Sequence, residues 1–567
     1  MNRCLPYRVS VFSCTRSGSP LAALWVWLIC GCAACGANSD HALHGASGAY
    51  GATASGAAAG SGSWSSTIVA GGAGNAAAGT SVQAGGRGSA AGASNGGSGL
   101  GTTGRAGTGV AGGAADVSGN AGGSSGDHSS AGVAGGSAQV GLPAGVTAFF
   151  PAPQAGGVCP DPPLRISFPG APTLGTAGKI QVFSQSGSVV ASVDMAVGTI
   201  TDMIGGTSFT LPRTAFVDGN DAVIYLKHKA LGYGQRYYVT VDSGAIHAPG
   251  GAEFAIGDKT TWRFSTMQAA PGDLSMLSVA LDGSGNFCSV QGALDALPAN
   301  GTAPARITIN AGRYHEVIHM RGKNNVILHG QDRKQTVILG TNNNNLNPST
   351  STRALVGFDD TTGLVVENLT IHNLTPQGGS QAEALRMQGC DKCVVRNTDI
   401  MSLQDTLLWS GRVYADHCYI EGNVDYIWGT GVAFFNQCEI RTVGRSGVLV
   451  QARNAAAAYG YVFVDSKLTA DGAATSNMLA RIDVSAYPGS HVAYINCQMT
   501  NIAAAGWTIT GGSASSSLRF WEYQSMDASG KPLNVSGRVS GLSQISSSQV
   551  ATMRDPSMVL GGWQPPP

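Results

Sequence analysis

Charge is scarce in this 567-residue chain: Asp, Glu, Lys and Arg make up 12% of it, and 33 basic residues balance 33 acidic ones. With no run of Lys and Arg, it has no surface that would track a phosphate backbone, and no nucleic-acid partner is expected. Long apolar runs are missing too. The run at residues 21–29, LAALWVWLI, is too short to span a bilayer as a mature helix, and no other reaches spanning length. Aromatic residues almost vanish between residues 36 and 141, where Gly, Ala, Ser and Thr dominate; such a stretch cannot bury enough apolar area to offset its ordering entropy. Cysteine is sparse in the body of the chain: five of twelve precede residue 36, leaving Cys159, Cys288, Cys390, Cys393, Cys418, Cys438 and Cys497. Beyond residue 35 the one CxxC is Cys390 to Cys393, with no second to complete a four-thiolate zinc site there, so a redox or structural pair is expected.

At the N-terminus, Arg3, Arg8 and Arg16 precede the apolar run, and CGCAAC follows it. That order is an export signal, assigned to residues 1–35. Leu28-Ile29-Cys30-Gly31-Cys32 resembles a bacterial lipoprotein box, which implies lipidation at Cys32, with Cys35 as second choice; plain secretion with cleavage near Ala33 or Ala34 is the alternative. The expected address is the cell envelope, as an outer-membrane lipoprotein, or the extracellular space, with membrane contact only through the lipid anchor. Residues 36–145 read as a flexible linker spanning about 50 to 60 Å by Gly-rich coil statistics.

Short alternating segments occupy residues 146–268: PLRISF, KIQVFSQSGSVVASV, AVIYL, YYVTV and TTWRFST, separated by Gly, Pro and Asp turns. They predict a small antiparallel β-sandwich. In PDPPLRISF, GQRYYVTVDSGAI and TTWRFST it is similar to bacterial immunoglobulin-like domains, which implies a spacer or, less favoured, a weak carbohydrate-binding module.

From residue 272 to 567 the pattern changes. An amphipathic helix is expected over residues 290–297, capping the first coil, and then a repeat emerges in LVVENLTIHN, CVVRNTDIMS, YADHCYIEGN, AFFNQCEIRT, YVFVDSKLTA and VAYINCQMTN. Asn368, Asn397, His417, Gln437, Asp465 and Asn496 fall in register at intervals of 29, 20, 20, 28 and 31 residues. Such periods without helical patterning predict a parallel β-solenoid, its coils burying ladders such as Ile371, Ile400, Ile420 and Ile440. The chain is therefore expected to be all-β.

Residues one coil apart lie about 4.8 Å apart along a solenoid. Gln381 precedes Gln404 by 23 residues and Asp405 precedes Asp425 by 20, so all four can line one outer face. Two carboxylates held this close, in a cleft edged by Tyr426 and Trp428, separate their proton affinities and give an acid and a base or nucleophile. Arg481 could reach Asp425 and keep it charged. Solvated surface aspartates would leave the same spacing.

Four segments carry a closer likeness: Gly312-Arg313-Tyr314-His315-Glu316, Gln381-Ala382-Glu383-Ala384-Leu385, Gln404-Asp405-Thr406-Leu407 and Asp425-Tyr426-Ile427-Trp428-Gly429. In order and spacing they resemble successive motifs of the pectin methylesterases. The resemblance implies a right-handed parallel β-helix that removes methyl esters from polygalacturonate (pectin), acting as a monomer without metal or other cofactor. It implies Asp425 as nucleophile, Asp405 as general acid and then base, Gln404 and Gln381 as oxyanion donors, and Arg481 as the residue orienting Asp425. It also implies a disulfide between Cys418 and Cys438, clamping the Asp425 loop. One motif departs: where the family usually has Leu-Gly-Arg-Pro-Trp, this chain has Leu479-Ala480-Arg481-Ile482-Asp483. The tryptophan of the sugar cleft is gone, which supports a rival, an esterase or thioesterase for a non-pectin substrate; a non-catalytic polysaccharide-binding surface protein is a second rival, against which the intact Gln404, Asp405, Asp425 and Arg481 set stands.

Overall fold

The computed structural model describes residues 141–566, apart from 515 and 540–544; the export signal, Cys32 and nearly all of the linker lie outside the described residues. The described chain is mostly β.

Its N-terminal part holds two larger antiparallel sheets and a separate two-stranded hairpin. One orders the strands Ala148–Phe150, Leu164–Ser167, Asp221–Ile224 and Ala215–Asp218; the other is built around the long strand Arg236–His247. Alternation along Leu164–Ser167 and Lys179–Ser184 sends Leu164, Ile166, Ile180 and Val182 into a shared core with Val239, Trp262 and Phe264.

The C-terminal part stacks parallel strands into the coils of a β-helix. An eight-stranded parallel sheet runs from Gly312–His315 to Gln498–Met499, beside a sixteen-stranded one that includes Leu385–Arg396, Leu407–Asp416, Val424–Gly429, Val448–Ala452 and Met478–Asp483. In-register pairing aligns Ile338, Ile371, Ile400, Ile420, Ile440, Leu468 and Met499 in one buried ladder. Trp409, Phe435, Phe463 and Tyr494 form an aromatic ladder with centroids 5.4, 4.3 and 4.7 Å apart.

Asn368, Asn397, His417, Gln437, Asp465 and Asn496 all have φ between 46° and 59°. They sit at the corner of each coil, where the chain needs a left-handed residue, a conformation Asn and Asp tolerate better than branched residues do. Asn397 Nδ2 donates to Asn368 Oδ1 at 2.7 Å, and Asn496 Nδ2 to Asp465 Oδ1 at 3.2 Å, so part of the register is also a hydrogen-bonded stack.

The residue after each corner explains a corrected expectation. Cys418 and Cys438 are free, buried thiols, not a disulfide. Cys418 Sγ donates to Val395 O at 3.3 Å, and Cys438 Sγ donates to Asn436 O at 3.4 Å and Ala415 O at 3.7 Å. Thr398 and Ser466 occupy the same position on neighbouring coils and donate their hydroxyls to backbone carbonyls in the same way. From Thr398 to Cys497 the position holds a small donor that satisfies a buried carbonyl, and a thiol serves as Thr or Ser does. Cys390 and Cys393 are likewise free and buried; the neighbouring Cys393, then burial, push the Cys390 thiol far up.

The disulfide of the described residues lies elsewhere, between Cys159 and Cys288, 129 residues apart. It ties the sandwich to the first coil beside the helix Val290–Ala296, whose N-cap is Ser289. Asp161 accepts from the backbone N–H of Cys288 and Ser289, each at 2.9 Å, and from the Ser289 hydroxyl. The hairpin of Thr199–Ile204 and Thr207–Pro212 inserts Ile204, Phe209 and Leu211 into the solenoid core, and Asn347 clasps Thr210 through both its N–H and C=O at 2.8 Å. The sandwich is thus docked on the solenoid by a covalent bond, shared core and hydrogen bonds.

Candidate active site

Asp405 and Asp425 stand on successive coils. Leu407 pairs with Ile427 and Leu408 with Trp428, Gln404 bridges to Val424, and Asp405 N donates to Val424 O at 3.0 Å. The two aspartates are therefore one strand spacing apart, about 4.8 Å. Both have left-handed backbones, φ 64° and 46°. At Asp425 the pairing with the next coil slips: Val424 faces Val448, but Ile427 faces Val450. The extra residue is a bulge, a device that re-aims side chains. It turns Tyr426 and Ile427 both into the solenoid core, while Asp425 pairs with Arg481.

The expectation that Tyr426 edges the cleft is therefore corrected. Its ring is fully buried, and its hydroxyl hydrogen-bonds with Thr442 Oγ1 at 3.0 Å. Trp428 stays beside the carboxylates. The Arg453 guanidinium lies 4.7 Å from its ring centroid and that of Arg353 5.7 Å away, and Arg453 also lies 5.9 Å from the half-buried ring of Tyr487.

Arg481, from the strand Met478–Asp483, grips Asp425 with a fork: Nε donates to Oδ1 at 2.7 Å and Nη2 to Oδ2. This bidentate pairing fixes the carboxylate plane as well as its charge partner. The Asp425 side chain is 8% exposed and that of Arg481 39%. Gln404 adjoins Asp405 on its own coil and Gln381 lies one coil earlier; Ala382 N donates to Gln404 O at 3.0 Å, locking the two segments together. Neither side-chain amide donates to a protein acceptor among the described residues, so both remain available to a substrate oxygen.

Asp405 has the environment of a proton donor. Its carboxyl is held well above the usual carboxylate range, first by burial, then by the negative charge of Glu383, with Asp425 adding to the effect; Arg353 and Arg453 oppose it. The site thus pairs a carboxyl that holds its proton more tightly than usual with a carboxylate clamped by a guanidinium, one coil apart.

The sequence reading missed Arg353 and Glu383. Arg353 Nη2 donates to Asp405 Oδ2 at 2.9 Å, while its Nε and Nη2 bind Glu383 at 2.6 to 2.9 Å. A glutamate in the apolar segment Ala382-Glu383-Ala384-Leu385 was the available signal, because a buried charge requires a partner. Asp483, on the same strand as Arg481, is exposed and caps its own turn by accepting from Ser485 N at 2.9 Å. A cavity of about 750 Å³ lies elsewhere, between the sandwich and the first coils, lined by Asp202, Tyr225, His228 and Glu316.

A family model described as Pectinesterase matches residues 276–559. Pectinesterase 31 of Arabidopsis thaliana is 31% identical over 209 residues, which cover 35% of this chain and 66% of that protein. Pectinesterase 1 of Olea europaea is 31% identical over 273 residues, 45% of this chain and 71% of the relative. Among solved structures, the pectin methylesterase from carrot matches with 26% identity and a TM-score of 0.47, covering 52% of this chain and 95% of that one. The chain thus spans about two thirds of the length of these two relatives, and less than half of others such as the pectinesterase of Petunia integrifolia, at 44%.

Proposed function

This chain belongs to the pectinesterase family of carboxylic ester hydrolases, and from that premise we propose that it removes methyl esters from polygalacturonate, giving pectate and methanol. The observation that carries the reading is the pairing of Asp425, forked by Arg481, with Asp405, whose carboxyl is held well above the usual range one coil away.

The carboxylate of Asp425 attacks the ester carbonyl carbon. The amides of Gln381 and Gln404 donate to the oxygen as it gains negative charge. Asp405 gives its proton to the methoxy oxygen, the C–O bond breaks and methanol leaves; an acyl-Asp425 anhydride remains. Asp405, now ionised, takes a proton from water, whose oxygen attacks the acyl carbon; the bond from that carbon to the Asp425 oxygen breaks, the galacturonic acid is released, and Asp425 is again a carboxylate and Asp405 again protonated. A carboxylate is a weak nucleophile, and it succeeds here because orientation, a neutral acid and preorganised donors act together.

The finer organisation belongs to the same proposal. Residues 272–567 form a right-handed β-helix, and residues 146–268 form an immunoglobulin-like module, a reading supported by two antiparallel sheets sharing one core. Residues 1–35 direct export with lipidation at Cys32, and residues 36–145 tether a monomer to the cell envelope. The Cys159–Cys288 bond supports an exported address, since such bonds persist in oxidising compartments.

One observation favours a second reading, an esterase for a non-pectin substrate: Asp483 is exposed and hydrogen-bonded within its own turn where the family usually has a tryptophan. Methanol release from highly esterified pectin separates the two. Release that disappears in Asp425→Ala supports the first; no release, with hydrolysis of another ester, overturns it.

A further inference from the structure

Asp405 is held by one oxygen. Arg353 Nη2 donates to Oδ2 at 2.9 Å, and among the described residues no protein group donates to Oδ1. The guanidinium is itself fixed. Nε lies 2.9 Å from each oxygen of Glu383, Nη2 lies 2.6 Å from Oε1, and Nη1 reaches Asn344 Oδ1 at 3.4 Å. Glu383 is fully buried and Arg353 is 7% exposed, so the pair is part of the wall behind Asp405.

A guanidinium has five donors and no acceptor, and it keeps its proton in proteins. An oxygen facing Nη2 must therefore present a lone pair, and a proton on Asp405 belongs on the other oxygen. We propose that Arg353, anchored by Glu383, is a positioning residue that places the exchangeable proton of Asp405 on Oδ1, the oxygen left free to meet the departing methoxy group. The inference rests on the reading of Asp405 as acid and then base. In the first half-reaction the Oδ1–H bond breaks as the methoxy oxygen takes the proton and keeps the electron pair of its broken C–O bond. In the second, Oδ1 takes a proton from the attacking water.

Glu383 has a second effect. Of the charged groups that face Asp405, Arg353 and Arg453 favour its ionised form, and Glu383 and Asp425 favour its protonated form; Arg481 lies beyond Asp425. By offsetting Arg353, Glu383 lets the guanidinium aim the carboxyl without stripping its proton. An unopposed guanidinium at this distance would favour the carboxylate.

The test uses the full chain, with methanol release from methyl-esterified polygalacturonate measured from acidic to alkaline pH. In Glu383→Gln the alkaline limb, where Asp405 loses its proton, is expected to move acidward by about one pH unit or more. The double variant Arg353→Met/Glu383→Leu leaves no buried charge unpaired, so it serves if a single variant fails to fold. It is expected to melt near the wild type while kcat falls about ten-fold or more with KM little changed. Arg353→Lys, which keeps the charge and loses the planar fork, is expected to leave the limb near its wild-type position while lowering kcat. A limb that stays in place in Glu383→Gln, or a folded double variant with wild-type kcat, overturns the inference. An Asp405→Asn variant as active as the wild type would instead overturn the reading beneath it.

Discussion

Removing the fork on Asp425 is the perturbation whose size follows most directly from the geometry. Arg481→Met deletes one hydrogen bond of 2.7 Å from Nε to Oδ1 and a second from Nη2 to Oδ2. Deleting a hydrogen bond to a charged group costs about 1.5 to 3 kcal/mol. The Arg481 side chain is 39% exposed, so water replaces part of what is lost, and the two bonds together are discounted to about 2 to 3 kcal/mol. Expressed in the transition state alone, that is a fall of roughly 30- to 150-fold in kcat/KM. The loss should appear in kcat, because the fork orients the attacking carboxylate and not the sugar. Arg481→Lys restores the charge without the planar pair of donors and should recover part of the rate. Methanol release at several substrate concentrations gives kcat and KM separately, with melting temperatures as the folding control. A folded Arg481→Met with wild-type kcat, or with its whole loss in KM, would refute the orienting role.

Reducing the Cys159–Cys288 bond, which closes a separation of 129 residues, should remove up to about 5 kcal/mol by loop entropy and lower the melting temperature in the presence of reductant; an unchanged melting temperature would show that docking does not depend on it. Burial pushes the Glu316 carboxyl from 4.5 up to about 7 even though Val290 and Gln291 N–H groups donate to it at 2.8 and 3.0 Å. Its folded value exceeds its unfolded one, so its contribution to stability is complete below about pH 4.5 and is lost as pH rises through 7, a difference of about 3 kcal/mol. Denaturant melts at both ends of that window should show this slope in the wild type and its absence in Glu316→Gln. Asp483→Trp should lower KM for esterified oligogalacturonides and leave kcat unchanged, since it adds ring surface beside the site and touches neither carboxylate; a KM that does not fall would count against a sugar path over this strand.

Much of the solenoid is legible in the chain. Polar residues recurring from Asn368 to Asn496 mark coil corners because those corners need φ near 50°, and Ile371, Ile400, Ile420 and Ile440 mark the ladder because parallel pairing keeps register. The interval between Asp405 and Asp425 conveys their stacking for the same reason. Period alone does not convey the bulge at Asp425, which upsets alternation and sends Tyr426 inward. Nor does it separate a thiol bonded to a carbonyl from one bonded to sulfur: Cys418 and Cys438 are a coil apart either way, and only the Thr398 and Ser466 equivalents show what the position requires. The pairing of Arg353 with Glu383 joins residues 30 apart on different coils, and the Cys159–Cys288 bond joins two folded parts; neither leaves a periodic trace.

The central claim is that Asp425 and Asp405 together cleave a methyl ester of polygalacturonate. It is tested most directly by methanol release from highly esterified pectin by the wild-type chain and by Asp425→Ala, with folding checked by melting temperature. The account predicts steady release by the wild type and a loss of at least about a thousand-fold in the variant. Release that survives in folded Asp425→Ala, or that never occurs in the wild type, would contradict it.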